Sequence, residues 1–487
     1  MLHSPKACWG AGLAVLALLL AGTSCRRPRF PPRGDAAAVV VVVPRKDAAG
    51  PPKVIEQEPN DSPEQAQILA INAEWPVVSL EGSLSAPGEA KGKDVDVFKF
   101  LVPGSRLEPA PAPPSADSGR TSDDPRALAR RLSLDIAAEG GAGLSVQILD
   151  EALKSMAVIS VESGETAGMP NIAVSPGRIY YFRIKPVVAK AAKSAKAARP
   201  EDVPLPACNY KLTVQIGDFE IADEREPNDT RETANPVAVV GTAELAGYHG
   251  WHHDQDFYRI ASPEVLSGMD VDLDAVEGVA ASLQVLDGSG GRLAFGKGRK
   301  GERLALRNVT VRAATADSDV ASRNVYVMVR GESGYNRHQR YVLRITLAAP
   351  RLDAEVEPND SPESATPVKD GTISGFLPVG DVDYFRYEGE GQRDVNFEVA
   401  FPARVRGKLG AFRPGNSQPI GAAEAEKARQ TVVLPGIATL GQPVVLRVSQ
   451  GKADGNANDP YTLNITSVPS SNQKTGAANP QSPVPSN

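Results

Sequence analysis

The residues best suited to chemistry in this 487-residue chain are acidic, and they come in a fixed order. Glu56-Gln57-Glu58-Pro59-Asn60-Asp61 is followed by Asp94-Val95-Asp96. Glu224-Arg225-Glu226-Pro227-Asn228-Asp229 is followed by Asp254-Gln255-Asp256, and Glu355-Val356-Glu357-Pro358-Asn359-Asp360 by Asp381-Val382-Asp383. Alternate side chains of an extended segment share a face, so Glu56, Glu58 and Asn60 point together. Pro59 stiffens that segment and keeps helix away from the residue before it. Asp94 and Asp96 share the parity of Phe98 and Phe100, which belong in a core, so both aspartates are expected at its mouth. Acidic clusters placed this way repel unless a cation or hydrogen bonds intervene. Ca²⁺ takes about 6–8 oxygen ligands, carboxylates and amide carbonyls included, and this set supplies them. A purely local reading stands beside it. Asp61 with Glu64, Asp229 with Glu232 and Asp360 with Glu363 have capping-box spacing, and Pro63 and Pro362 suit a first helical position. A cap, however, does not require the Glu-x-Glu that precedes it in every copy.

Other candidate chemistry is thinner. His249-Gly250-Trp251-His252-His253 holds three of the five histidines, and a hydrolytic transition-metal centre on His249, His252 and His253 is the enzyme alternative. No helix fixes their geometry, and neither other copy has an equivalent, so a polar loop beside the acidic motif is preferred. Gly296-Lys297-Gly298-Arg299-Lys300-Gly301 has the G-x-G-x-x-G form, but Arg303–Val311 after it reads as a strand, which makes it a hairpin loop. Neither a G-x-S-x-G sequence nor a Cys/His pairing offers a covalent nucleophile, and the chain is read as non-catalytic.

The elements that position the acidic motifs repeat with them. Each module ends in a Tyr-x-Leu strand, at Tyr210-Lys211-Leu212, Tyr341-Val342-Leu343 and Tyr461-Thr462-Leu463. An apolar strand precedes each, around Tyr180–Ile184, Val325–Val329 and Val444–Val448. Between the motifs lie short alternating runs such as Leu144–Ile148 and Ser282–Val285, the period of half-buried antiparallel strands. Repeats of more than about a hundred residues are domains and not solenoid units. The expected fold is all-β: three tandem antiparallel β-sandwiches at 54–217, 222–348 and 353–467.

Composition agrees and restricts function. Gly 44 and Pro 41 with only 5% aromatics suit strands and turns, while 41% hydrophobic residues rule out global disorder. A net charge of −6 argues against a nucleic-acid partner. At the N-terminus, Lys6 precedes the apolar stretch Ala11–Ala21, too short to span a bilayer and suited to a signal peptide over 1–24. Gly22-Thr23-Ser24-Cys25 followed by Arg26-Arg27 resembles a bacterial lipoprotein signal, which implies acylation of Cys25 and a membrane anchor. Cys208 then has no disulfide partner. Residues 25–53 read as a disordered tether, with an unexplained valine run at Val39–Val43, and 468–487 as a disordered tail. The first module carries insertions at 104–130 and 186–206, the second including the basic run Lys190, Lys193, Lys196 and Arg199.

The order E-x-E-P-N-D, then D-x-D, then Tyr-x-Leu resembles the bacterial pre-peptidase C-terminal domain, related to the collagen-binding domains of clostridial collagenases. That resemblance covers about four fifths of the chain and implies that each module is a jelly-roll-like β-sandwich, of a kind that accompanies a secreted peptidase or stands in non-catalytic surface proteins. It also implies calcium ligands at Glu56, Glu58, Asn60, Asp61, Asp94 and Asp96; at Glu224, Glu226, Asn228, Asp229, Asp254 and Asp256; and at Glu355, Glu357, Asn359, Asp360, Asp381 and Asp383. The expected function is an exported, lipid-anchored binding or scaffolding array at the cell envelope, recognising an envelope protein or glycan. Its alternative is an accessory subunit of a secreted peptidase or envelope machine.

Overall fold

Alternation drives the architecture. Along Arg130–Glu139 every second side chain is buried, Leu132, Leu134, Ile136 and Ala138 among them, so one face of the strand meets a core and the other meets solvent. Such strands must pair in sheets and stack face to face to cover their apolar sides. The computed structural model describes residues 52–84, 94–104, 129–187, 207–220, 222–314, 323–389, 391–451 and 455–469. Those residues form three tandem β-sandwiches and contain no helix. The signal peptide, Cys25, Val39–Val43, nearly all of the tether and tail, and most of both insertions lie outside the described residues.

The first sandwich comprises β1 (Lys53–Ile55), β2 (Gln67–Ile68), β3 (Val77–Leu84), β4 (Asp96–Leu101), β5 (Arg130–Glu139), β6 (Gly143–Leu149), β7 (Ser155–Val161), β8 (Thr166–Val174), β9 (Ile179–Val187) and β10 (Cys208–Asp218). The second comprises β11 (Asn235–Val237), β12 (Thr242–His249), β13 (Gln255–Ala261), β14 (Ser267–Leu273), β15 (Ala280–Leu286), β16 (Arg292–Lys297), β17 (Leu304–Val311), β18 (Asn324–Ser333) and β19 (Asn336–Ala348). The third comprises β20 (Thr366–Val368), β21 (Gly371–Leu377), β22 (Val382–Tyr387), β23 (Arg393–Ala400), β24 (Gly407–Phe412), β25 (Pro419–Glu424), β26 (Thr431–Ala438), β27 (Val444–Gln450) and β28 (Asn456–Pro469).

Strand order is the same in all three. One sheet runs β3-β10-β5-β8, β12-β19-β14-β17 and β21-β28-β23-β26, with β1 added outside β3 in the first copy. The other runs β2-β4-β9-β6-β7, β11-β13-β18-β15-β16 and β20-β22-β27-β24-β25. The short strands β2, β11 and β20 pair parallel with their neighbours, as does β1, and all other named strand pairs are antiparallel. The Tyr-x-Leu strand lies inside the first sheet, and the acidic D-x-D pair opens β4, β13 and β22 in the second. Each core is apolar, with Phe100 stacked on Phe182 at 4.9 Å in the first sandwich and Tyr387 edge-on to Phe397 at 5.8 Å in the third. Cys208, at the start of β10, is buried with a free thiol. Gly298–Gly301 forms the turn between β16 and β17, as the sequence suggests.

The turn expected after each motif is present, but the aspartate does not cap it. Each Asn-Asp leads into a tight turn, and the residue after the aspartate closes it. Thr230 and Thr233 hydroxyls lie 3.0 Å apart, as do those of Ser361 and Ser364, and the Ser62 hydroxyl donates to Gln65 Oε1 at 3.3 Å. Asp61 instead accepts the Val95 N–H through Oδ1 at 3.3 Å, tying the first motif to the second.

Candidate metal centre

Three strands converge on each acidic motif. The backbone of the first glutamate pairs with the neighbouring strand, Glu56 N–H donating to Glu81 C=O, Glu224 to Ala246 and Glu355 to Ser374, at 2.8–2.9 Å. This holds the entrance segment against the edge of the first sheet. Its other end is held by the second sheet, where Val97, Phe257 and Tyr384 N–H groups donate to the carbonyls of Asn60, Asn228 and Asn359 at 2.9–3.0 Å. The segment therefore crosses from one sheet to the other at the end of the sandwich. All three Glu–Pro bonds within it are cis.

Side chains then take the same posts in every copy. The first glutamate accepts a backbone N–H from Ser83, Tyr248 or Phe376 at 2.5, 2.8 and 2.6 Å. The second folds one oxygen back onto the asparagine N–H, at 2.8, 2.8 and 2.9 Å. The second aspartate of the D-x-D pair accepts a tyrosine hydroxyl from the facing sheet: Tyr210 to Asp96 at 2.6 Å, Tyr341 to Asp256 at 2.7 Å and Tyr461 to Asp383 at 2.6 Å. Tyr341 and Tyr461 also reach the first glutamate, Glu224 at 3.1 Å and Glu355 at 3.2 Å. In the second module Tyr258 adds a hydroxyl 2.7 Å from that of Tyr341, where the other modules have Phe98 and Phe385.

This arrangement brings together Glu56, Glu58 and Asp96; Glu224, Glu226 and Asp256; and Glu355, Glu357 and Asp383, each offering an oxygen within 4.8 Å of the others. Asp96, Asp256 and Asp383 are 0% exposed, deeper than the mouth position expected from parity. Asp94 and Asp381 are half-buried, and Asp254 is buried with its Oδ2 accepting the Gly250 N–H at 2.6 Å. Asp61, Asp229 and Asp360 are exposed. They lie outside the three clusters and act on the second glutamates through their charge.

The decisive feature is what has no partner. Oδ1 of the asparagine and Oδ1 of the second aspartate are buried without a hydrogen bond in all three modules. Glu226 Oε1 and Asp254 Oδ1 join them in the second. Buried polar atoms are nearly always satisfied, so the same orphaned oxygens recurring threefold mark places where something accepts their lone pairs. The donors are hard oxygens, carboxylate and amide carbonyl, the set that suits Ca²⁺. Electrostatics agrees. Burial, reinforced by the neighbouring Glu56 carboxyl, pushes Asp96 up to about 9. Burial raises Asp256 and Glu355 to about 7, and burial with mutual repulsion holds Glu224, Glu226, Glu357, Asp381 and Asp383 well above the carboxylate range. A divalent cation here would balance negative charge that is otherwise relieved only by protonation.

Two residue sets in the site are absent from the sequence-based assignment. The closing tyrosines are visible there as strand markers but not as hydrogen-bond donors to the aspartates. Gly82, Gly247 and Gly375 are the second set: a Cβ at any of them would overlap the tyrosine hydroxyl and the first glutamate's carboxylate. Gly375→Ala is therefore expected to cost about 1–3 kcal/mol through local overpacking and to remove cation binding from the third module alone. Denaturant unfolding together with bound-metal content would read both, and an unchanged metal content would refute the assignment.

The histidines are not gathered. His249 is buried in the core position that Leu84 and Leu377 occupy in the other modules, its ring 5.0 Å from Tyr341, and burial lowers its pKa to about 4. His252 and His253 are exposed, with rings 6.4 Å apart. Among the described residues no histidine belongs to a candidate metal cluster.

The centres of the second and third modules are also junctions. Ile172 of β8 bridges in parallel to Glu226, with Ala173 N–H donating to Glu226 C=O at 2.8 Å and Glu226 N–H to Asn171 C=O at 2.9 Å. Val309 of β17 bridges to Glu357 in the same way, with Thr310 N–H donating to Glu357 C=O at 2.8 Å. Asn171 and Asn308, in the left-handed region at φ of 62° and 49°, sit at these contacts. Asn171 Nδ2 reaches Glu224 Oε1 at 3.5 Å, and Asn308 Nδ2 donates to Glu355 C=O at 2.7 Å.

No known family and no curated protein matches this chain. Among solved structures it is similar to the PBSX exported protein XepA, at 10% identity over 55% of this chain and 86% of that one, with a TM-score of 0.16. It is also similar to the CUB1-EGF-CUB2 domains of rat MASP-1, at 9% identity over 47% of this chain and 100% of that one, with a TM-score of 0.13. Likenesses this slight bear on neither fold nor function.

Proposed function

We propose that the chain is a non-catalytic array of three β-sandwiches, stabilised by calcium, that serves as a binding or scaffolding element of the bacterial envelope. Export and lipid anchoring through Cys25 rest on the resemblance of residues 11–27 to a lipoprotein signal. The resemblance to pre-peptidase C-terminal domains supports the same role. One observation carries the reading: an identical set of buried, unpartnered oxygens recurs in three modules, and in two of them it lies where one module meets the next. A cation there holds an entrance segment in place and, with it, the contact to the preceding module. The array then presents its surfaces, in fixed relation, to an envelope protein or a glycan.

Metal content of the purified chain after dialysis against Ca²⁺ and Zn²⁺ tests this directly. Three calcium ions per chain and no stoichiometric zinc are expected. Zinc at one per chain, lost on His252→Ala and His253→Ala, would favour the hydrolase reading instead.

A further inference from the structure

The two junctions use one device. In β8 and in β17 the pairing with the inner neighbour slips by a residue, between Leu132 and Leu134 in the first module and between Met269 and Val271 in the second. At the slip stands the left-handed asparagine, within Met169-Pro170-Asn171-Ile172-Ala173 and Leu306-Arg307-Asn308-Val309-Thr310. The outer edge of the strand beside it receives the Glu-x-Glu segment of the following module. Each contact is thus a socket on an edge strand filled by an entrance segment.

The third module has the same socket. β26 slips against β23 between Val395 and Phe397, and Leu434-Pro435-Gly436-Ile437-Ala438 occupies the equivalent place, Gly436 at φ 63°. The Gly436 N–H donates to Asn396 Oδ1 at 2.8 Å, as the Asn308 N–H donates to Asp270 Oδ1 at 2.7 Å. Asn171 and Asn308 are buried under their partners, whereas Pro435 and Gly436 are exposed. Val433 and Leu440 beside them are 45% and 63% exposed. Among the described residues no entrance segment lies on this edge. The first module holds the complementary half. Its Glu58 is exposed where Glu226 and Glu357 are buried, and Ile55 beside it is 71% exposed.

We propose that copies of this chain associate head to tail, the Glu56–Asn60 segment of one copy seating on the β26 edge of the next. The contact repeats a geometry the chain already makes twice within itself, with Ile437 opposite Glu58. Its backbone part needs no particular side chain, since Gly436 C=O and Ala438 N–H stand where Asn171 C=O and Ala173 N–H stand in the first junction. Gly436 lacks the amide through which Asn171 and Asn308 reach the incoming module, so the contact between copies is weaker than either internal one. Because plug and socket lie on different surfaces, the interface is heterologous, and it extends from copy to copy wherever the rotation does not close a ring. An exposed edge strand is the surface from which such pairing is expected. Docking would also cover Glu58 and so complete the wall of the first acidic centre, which the preceding module supplies in the other two.

Sedimentation velocity of the full chain in Ca²⁺, from micromolar to near-millimolar concentration, tests this. The weight-average coefficient is expected to climb with concentration without levelling at a dimer. Gly436→Asn, whose side chain tolerates the left-handed conformation, should raise the association constant by about tenfold by restoring the amide contacts. Ala438→Pro, which removes the outward N–H from an edge strand able to accept proline, should return the chain to a monomer. A chain that stays monomeric even as Gly436→Asn, or one that saturates at a closed dimer, would overturn the proposal.

Discussion

In millimolar Ca²⁺ the chain is expected to unfold several degrees above its midpoint in EDTA, and the gap should widen as pH rises. A ligand that binds only the folded state at a hundredfold excess over its dissociation constant adds about 2.7 kcal/mol per site. In domains of this size that is roughly 5–10 °C. The pH dependence arises from carboxyls whose folded pKa lies above the unfolded one. Such groups contribute their full stability below the unfolded value, near 4, and lose it as pH rises through the folded value. For Asp256 and Glu355 that loss is complete by about 7, and for Asp96 by about 9. The metal-free chain should therefore lose stability steadily from about pH 5 to about pH 9. With calcium in place the same carboxylates are ligands and the decline is offset. Asp256→Asn and Asp383→Asn separate the two effects. Each removes one charge from a buried acidic cluster, so in EDTA at high pH each variant should melt no lower than the parent, while in Ca²⁺ it should forfeit its module's share of the upshift. Equal midpoints in EDTA and Ca²⁺ for the folded parent would mean that protons and tyrosine hydroxyls alone satisfy these clusters.

How far the sequence leads depends on whether a feature is local. The all-β class was legible because alternation is a property of neighbouring residues, as in Leu144–Ile148, now β6. The acidic cluster was half legible: parity placed Glu56, Glu58 and Asn60 on one face but could not show that Asp96 sinks to 0% exposure. Its depth depends on Tyr210, 114 residues away in the facing sheet, whose hydroxyl it accepts. Gly82, Gly247 and Gly375 could not be singled out among 44 glycines, because their need for a bare backbone arises only where tyrosine and glutamate cross them. The capping-box spacing misled by one residue. It marks a capped turn and the turn is there, but the cap falls on Ser62, Thr230 and Ser361, one residue after the aspartate, and Asp61 is drawn instead to the Val95 N–H just before β4.

Asn308 is the residue where this non-local logic should show most strongly. It lies between the cores of the second and third modules without belonging to either, and only the junction explains it. Its Nδ2 donates to Arg351 C=O at 3.1 Å and Glu355 C=O at 2.7 Å, and its Oδ1 accepts the Arg351 N–H at 2.9 Å. It is 2% exposed and held at φ 49°. Asn308→Ala would leave buried backbone groups of the next module unpaired, at about 1–3 kcal/mol, and would force a Cβ-bearing residue without a side-chain amide into the left-handed region, at about 1–2 kcal/mol more. Both costs fall on the contact between the second and third modules. Calorimetry should then show the third module melting separately and earlier, with weaker calcium binding at Glu355, Glu357 and Asp383 but unchanged binding at Glu56, Glu58 and Asp96. Asn308→Gly should recover the conformational part and not the hydrogen-bonded part, reproducing at this junction what Gly436 already is at the third bulge. If Asn308→Ala melted in the same transitions as the parent, with the third centre's affinity intact, the entrance segment would be held by its own module alone. The coupling of cation binding to module docking would then have to be abandoned.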